Sequence, residues 1–446
     1  MKGRLLTALA AILLLPGMAS AGNAPMQQLT LNEARRIALE NHPLIKASDY
    51  ETRAAEESIA ATRSDYYPQV SGNAIRAFAD INTRLAATGG LNNPRVIDRG
   101  SAGIGVSQLI TDFGRTDALV EASKSAFEAQ RQRAELSRAA VILGVTRAYY
   151  DALRAQALVK VAQDTLKTRQ TLFNQVTSLR DVQMKSDLDL SIAKQGMDDA
   201  NLLMLKAQNN RSDAMAELSE ALGYGETRLF TLADGNKGSL ASLLGMALST
   251  NPELAALQSD YEAAQKEATA ADREFYSTVS AVGFAGGTPI RRADQPINRT
   301  YAAGGINLSV PIFTGGRLTA DADKAKAKPS AAQMRVEIKR NILIRDIHTV
   351  FDSVETAYKN IAVSEQMQRN AGKSLELTQA RYDIGKSSIV DLNQAQLAET
   401  QAAVAETSAT YEYLIERASL AYAIGKFSDA NPLKTMTPCK KKFSCN

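Results

Sequence analysis

The sequence predicts a mainly α-helical, internally duplicated chain with a small membrane β portion that only several copies together can complete. Three observations predict this fold class. They are an N-terminal export signal, one helix–strand–strand–helical-hairpin unit written twice, and two helical runs of roughly 68 residues with coiled-coil spacing.

Composition narrows the classes before any element is placed. Hydrophobic residues make up 45% of the 446, yet aromatics only 6%, and Trp is absent. With abundant Ala, Leu, Gln, Lys and Glu, that balance favours long helices and is too apolar for a disordered chain. Lys and Arg number 52 against 48 Asp and Glu, a formal net charge of +4. So small a surplus argues against a nucleic-acid partner. Two His and two Cys leave little for a zinc, iron–sulfur or disulfide framework, so neither a cofactor nor a metal is expected.

In chain order, residues 1–21 read as a signal peptide. Lys2 and Arg4 form a basic start, Leu5–Leu15 an apolar stretch, and Ala19-Ser20-Ala21 a small-residue cleavage site. The apolar stretch is too short to span a bilayer, and no later run is long and apolar enough for a membrane helix. No Cys follows the cleavage site, so lipid attachment to a new N-terminus is not indicated. The chain is expected to be exported.

The rest divides into a first repeat over residues 22–225, a second over 226–430 and a tail over 431–446. Pro43–Ser71 aligns without gaps to Pro252–Ser280, pairing Ala47 with Ala256, Tyr67 with Tyr276 and Val70 with Val279. Ser107–Arg115 then pairs with Ser309–Arg317, and Tyr149-Tyr150-Asp151 with Val350-Phe351-Asp352. Met184–Leu190 pairs with Gly385–Leu392 if one residue is inserted. The common order of these matches carries the duplication, and the copies join near Gly223–Ser239.

Each copy begins with helices, expected over about 31–41 and 44–67, and again over about 240–250 and 254–276. Strand alternation follows at Gln69–Phe78 and Ala102–Ile110, and at Thr278–Gly287 and Tyr301–Ile312. The intervening Ala79–Ser101 and Thr288–Thr300 are polar and rich in Gly, Asn, Pro and Arg, as loops are. After the turns at Gly114-Arg115 and Gly315-Gly316-Arg317 the pattern becomes helical to about Gln183 and Ile384, with Pro329 as a candidate kink. Leu136, Leu143, Tyr150 and Ala157 recur every seven residues, and Leu343, Ile347, Val350, Val354, Ala357 and Ile361 alternate by four and three, a coiled-coil seam. Return helices over about Leu188–Leu222 and Ile389–Ile424 end at Gly223 and Gly425, glycine being the residue favoured past a helix C-terminus.

Four strands cannot close a barrel, and lipid tolerates no open sheet edge. The chain must therefore share its sheet with copies of itself. Tyr66, Tyr67, Phe113, Phe275, Tyr276 and Phe313 sit where strands meet helices, the placement of an interfacial girdle. The same strands also fit two ordinary hairpins of a soluble periplasmic protein. Against that reading, strands with Ser and Gly between the apolar positions pack poorly on Ala-rich helices.

From about Leu29 to Phe427 the chain resembles the TolC-like outer-membrane factor family. The duplicated unit, Pro-Ile-Phe-Thr-Gly-Gly-Arg at 311–317 and Tyr382-Asp-Ile-Gly-Lys-Ser-Ser-Ile-Val-Asp391 carry the resemblance. It implies a homotrimer in the outer membrane, with a 12-stranded β-barrel continuous with a periplasmic α-helical coiled-coil barrel. It further implies a passive exit duct served by a periplasmic adaptor and an inner-membrane pump of the RND, ABC or MFS class. Small-molecule efflux is favoured over type I protein secretion from the tip sequence SSIVDLNQAQLAETQA.

The resemblance also marks residues. Tyr382, Gly385 and Asp391 match the family's second hairpin, which lines a constricted periplasmic end, and Asp189 is the counterpart of Asp391 on the first. Ser387 stands where the family has an arginine, and Gln394 where it has a second aperture aspartate, so the closing links differ here. Lys185, Ser186, Gly385 and Lys386 are the expected tip turns and adaptor contacts. Asp391 also fits a plain capping role at the start of the return helix.

Other classes have less support. A periplasmic coiled-coil adaptor would need biotinyl-lipoyl-like β repeats, and a degradative enzyme a catalytic constellation. There is no G-x-S-x-G, P-loop or H-E-x-x-H motif. His42 and His348 lack metal-ligand spacing, and Cys439 and Cys445 could close a small local disulfide loop in the tail.

Overall fold

The computed structural model describes residues 28–78, 96–228, 230–232, 251–292 and 296–425. The signal peptide, the helix expected over 240–250, the end of the joining segment and the tail with Cys439 and Cys445 lie outside the described residues.

Short capped helices open each repeat. In α1 (Leu31–Asn41) the Thr30 hydroxyl accepts the Glu33 N–H at 3.3 Å. In α2 (Pro43–Arg63) the His42 Nδ1 accepts the Leu44 N–H at 3.2 Å and Pro43 occupies the first turn, where its missing N–H costs nothing. In α5 (Pro252–Arg273) the Asn251 side chain accepts two N–H groups, from Glu253 at 3.0 Å and Leu254 at 3.1 Å. Both α2 and α5 end earlier than the sequence suggests. After Arg63 the chain tightens into a 3₁₀ turn over Ser64–Tyr66, which turns it toward the first strand ahead of Pro68, a residue that disfavours helix before it.

The main sheet is antiparallel in the order β2 (Gln69–Phe78), β3 (Val96–Thr111), β5 (Thr278–Arg292), β6 (Pro296–Ser309). Three strands run further into the expected loops than the alternation indicated. The ladder explains why: Asp98 lies opposite both Phe78 and Arg291, and Arg291 opposite Pro296. Pairing satisfies the backbone of a segment whose side chains read as loop. A second, two-residue parallel pair joins β1 (Gln28–Leu29) to β4 (Thr231–Leu232), tying the start of the chain to the junction of the repeats.

Directly opposed residues share a face, so the register separates two surfaces. Val70, Val106 and Gly283 lie in one row, and Ala102, Gly287 and Thr300 in another, with Ile104, Ala285, Ala302, Ile306 and Leu308 on the same face. The opposite face carries Gln69, Ser71, Asn73, Ser101, Ser107, Ser280 and Asn307, with Ile75, Leu109, Val282, Phe284 and Tyr301 among them. Among the described residues nothing covers the first face: Val70 is 67% exposed, Ile306 74% and Leu308 61%. The aromatics at the strand–helix junction are exposed in the same way, with the Phe113 and Tyr276 rings 6.0 Å apart.

Two helices of 67 residues each, α3 (Arg115–Asp181) and α6 (Arg317–Asp383), extend from the sheet for about 100 Å. The return helices α4 (Asp187–Ala221) and α7 (Ile389–Ala423) pack on their far halves, and α2 and α5 on the near halves. Helix α6 runs without a break through Pro329. The buried seams are heptads of small residues: Ala256, Ala263 and Ala270 in α5, and Ala193, Ala200, Ala207 and Ala214 in α4. Alanine lets backbones approach closely at little burial per residue. The bulk of the core therefore gathers midway, where Tyr149, Met215, Leu218, Leu222, Ile347, Leu420 and Ile424 meet Leu29 and Ala38.

From Gly114 and Gly316 onward, corresponding positions of the copies differ by 202 residues, and both long helices have the same length. The inserted residue at the turn is therefore absent, and the pairing of residues 149–151 with 350–352 is one residue out of register. An insertion within either helix would rotate every downstream residue by about 100° and take its seam off its partner.

Gly114 and Gly316, at φ +87° and +84°, start the long helices. A Cβ on Gly114 would come within 2.6 Å of the Arg273 Nη1, which donates to the Gly114 carbonyl, whereas nothing lies near Gly316. Gly316→Ala should cost about 1–2 kcal/mol from the left-handed backbone alone, and Gly114→Ala more. Thermal unfolding followed by helical circular dichroism checks the order; equal losses would contradict it.

Candidate functional site

The two hairpin tips are built alike. Each long helix ends two residues before a left-handed position, Gln183 (φ +60°) and Gly385 (φ +72°). There the Met184 and Lys386 N–H groups donate back to the Leu179 and Arg381 carbonyls at 2.8 and 2.7 Å, closing the helix end. Three residues further, Ser186 and Ser388 cap α4 and α7. Asp189 and Asp391 complete reciprocal capping boxes.

The Asp391 Oδ2 accepts the Ser388 N–H at 3.0 Å, the Ser388 hydroxyl at 2.7 Å and the Ser387 hydroxyl at 3.0 Å. The backbone hydrogen bond, then the two hydroxyls, hold its carboxyl below the usual range. The Asp189 Oδ2 accepts the Ser186 N–H at 2.9 Å and hydroxyl at 2.8 Å. The backbone bond lowers this carboxyl too, against a smaller opposing effect of burial. Asp391, Gln394, Gly385 and Lys386 are exposed, and Ser387 is half-buried.

Tyr382 is not at the surface. It is 3% exposed, packed with Leu172, Val176, Ala193, Ile389 and Leu392, and its phenol oxygen is buried without a partner. Lys185 of the first tip places its ammonium 4.0 Å from the Tyr382 ring centre, a cation–π contact between hairpins.

Sequence reasoning missed a second link. Arg169 on α3 is 6% exposed. Its Nη1 donates to the side-chain oxygens of Asn393 and Gln396 on α7, and its Nη2 to the Asn393 carbonyl at 3.5 Å. A signal existed: Ala162, Arg169 and Val176 lie seven apart and all three are buried, so the arginine sits in a core phase.

Gly114, Arg115, Gly315, Gly316 and Arg317 lie at the other end of the helices. Arg115 and Arg317 both approach Glu274, at 3.9 and 3.4 Å, and Arg317 also meets Asp321 at 3.2 Å. The Asp112 carboxylate accepts the Thr116 N–H at 2.7 Å. These turns are structural joints between sheet and helix. Among the described residues no group of three His, Cys, Asp or Glu side chains could hold a metal, and no helix is long and apolar enough to cross a membrane.

The sequence pattern of the outer membrane efflux protein family matches residues 34–224 and 243–426, one span per repeat. The chain is 25% identical to the outer membrane protein TolC of Vibrio cholerae, over 90% of this chain and 91% of that one. It is 23% identical to the alkaline protease secretion protein AprF of Pseudomonas aeruginosa, over 90% and 86%. The crystal structure of the Campylobacter jejuni CmeC outer membrane channel shares the fold, with a TM-score of 0.75 at 19% identity over 91% of this chain and 88% of that one.

Carboxyls with lowered folded-state pKa values stabilise the tips above the ordinary carboxylate range and lose that contribution as pH falls through the lower folded value. The protection of the Asp189 and Asp391 amides, taken relative to the intrinsic exchange rate at each pH, should thus be full above about pH 4 and fall as pH drops through the lower folded values. Ser388→Ala should speed Asp391 at every pH. Equal protection across the acid range would contradict the capping account.

Proposed function

We infer the function from one premise: the chain belongs to the outer membrane efflux protein family. It is an outer-membrane channel with its sheet in the bilayer and its helices in the periplasm. It acts as the exit duct of a tripartite system with a periplasmic adaptor and an inner-membrane pump. The duct does no chemistry; it offers a continuous aqueous path.

The observation that carries the finer reading is the four-stranded sheet, richer in aliphatic residues on one face and in Ser, Asn and Gln on the other, with β2 and β6 as edges unpaired among the described residues. A barrel needs an apolar outside, a polar inside and no edge. Three copies supply twelve strands and a closed barrel in outer-membrane lipid, with α3, α4, α6 and α7 of each copy walling the tunnel. The hairpin tips converge at its far end, and Asp391 lines the aperture with Asp189 nearby. Tyr382, Ser387 and Gln394 shape that aperture. Lys185, Ser186, Gly385 and Lys386 form the surface that meets the adaptor.

Capping and lining are compatible at Asp391. Its hydrogen bonds fall on Oδ2, leaving Oδ1 for a passing cation. A ring of three such carboxylates would favour cations and be blocked by multivalent ones.

Small-molecule export through an RND, ABC or MFS pump is the reading we favour. The similarity to a protease-secretion protein supports protein export as the second. Deletion of the gene should sensitise cells to dyes and detergents in the first case and abolish release of one secreted protein in the second.

In planar bilayers Asp391→Asn should change single-channel conductance and weaken block by trivalent cations. Unaltered conductance and block would remove Asp391 from the aperture.

A further inference from the structure

We propose that a cavity walled by α3, α6 and α7 binds a small aliphatic primary amine in its ammonium form. The cavity has a volume of about 340 Å³, within the range of small-molecule sites. On α3 its lining falls between Ala155 of the mid-height core and Leu172 of the tip cluster. The residues assigned to the aperture do not line it.

The lining is rich in oxygens that lack a proton to accept. Thr165 on α3 and Thr400 on α7 each carry one hydroxyl proton. Thr165 donates its proton to the Val161 carbonyl at 2.9 Å, and Thr400 donates its own to the Gln396 carbonyl at 3.0 Å. Their oxygens stand 3.5 Å apart, so lone pairs face each other with no donor between them. Gln368 on α6 donates its Nε2 to the Glu399 Oε1 at 3.0 Å. A carboxylate accepts only, which fixes the orientation of that amide. The Gln368 Oε1 is then left buried without a partner, a costly state for an acceptor.

Charge points the same way. Asp164 and Glu399 set two carboxylates on the lining against one guanidinium, that of Arg169. The Arg169 Nη1 and Nη2 already donate to Asn393 and Gln396. On its other side lies Gly196 of α4, where a Cβ would stand 3.1 Å from the Nη1. The cavity therefore asks for a cation that donates hydrogen bonds, and a primary ammonium offers three N–H groups and no acceptor. An inorganic cation would need oxygen on every side, whereas Val161, Leu375 and Ala403 give part of this wall an apolar surface. That surface suits the methylenes of an alkyl chain.

The test titrates the full chain, purified in a non-ionic detergent, with n-butylammonium at constant ionic strength in a calorimeter. Saturable binding at one per chain is expected. Tetramethylammonium, with the same charge and no N–H, and Na⁺ should each bind weaker by about tenfold or more. Thr165→Val and Glu399→Gln should each weaken n-butylammonium by about tenfold with helicity unchanged. Asp391→Asn, outside the lining, should leave the affinity as it was. If neither cavity variant folds, the three cations on the unaltered chain carry the test. Absence of saturable binding overturns the site. Equal binding of tetramethylammonium overturns it too, because charge alone would then account for the affinity. Affinity lost in Asp391→Asn and kept in the cavity variants would place the amine at the tips and overturn the proposal while leaving the aperture reading intact.

Discussion

The unpaired outer edges of β2 and β6 are the constraint on which the rest of the molecule depends. Each edge presents a row of N–H and C=O groups, and in hydrocarbon a group without a partner costs several kcal/mol. The sheet also has two unlike faces, with exposed Val70, Ile104, Ile306 and Leu308 on one side and Ser, Asn and Gln beside Ile75, Phe284 and Tyr301 on the other. Neither property suits a chain that folds alone in water, and both suit one whose neighbours continue the ladder. The exposed aromatics at the sheet base, Tyr67, Phe275, Tyr276 and Phe313, then fall where a bilayer surface would meet the barrel.

The helices follow from the sheet. Gly114 and Gly316, with left-handed backbones, stand immediately before the two long helices. Alanine heptads then let α2, α4, α5 and α7 lie close along α3 and α6. Such seams bury little, so the packing that specifies the fold is concentrated at mid-height, where the ends of α4 and α7 meet the N-terminal helices, and again at the tips.

Much of this was legible in the sequence because it is written in period and punctuation. The helix starts at Arg115 and Arg317, the return helices and the strand Gln69–Phe78 are marked by glycine turns, capping serines and alternation. What was not legible depends on pairing between distant segments. The ladder from Asp98 through Arg291 to Pro296 looked like loop because backbone pairing leaves no trace in side-chain pattern. The single-residue register of the two copies was blurred by chance matches such as Tyr150-Asp151 with Phe351-Asp352, and only the equal helix lengths resolve it. Arg169 belongs to no sequence motif. Its heptad phase with Ala162 and Val176, and the isolated Gly196 in a helix, were the available signals. Asp391 was read in two ways, and its capping bonds establish one without excluding the other.

The account's central claim is that β2 of one copy pairs with β6 of the next. Cysteine pairs, one within Gln69–Phe78 and the other within Pro296–Ser309, test it directly by oxidative cross-linking in native outer membranes. The account predicts a ladder that stops at three covalently joined chains, from pairs in register only. Cross-linking confined to single chains, which would mean that each sheet curls onto its own far edge, would contradict it.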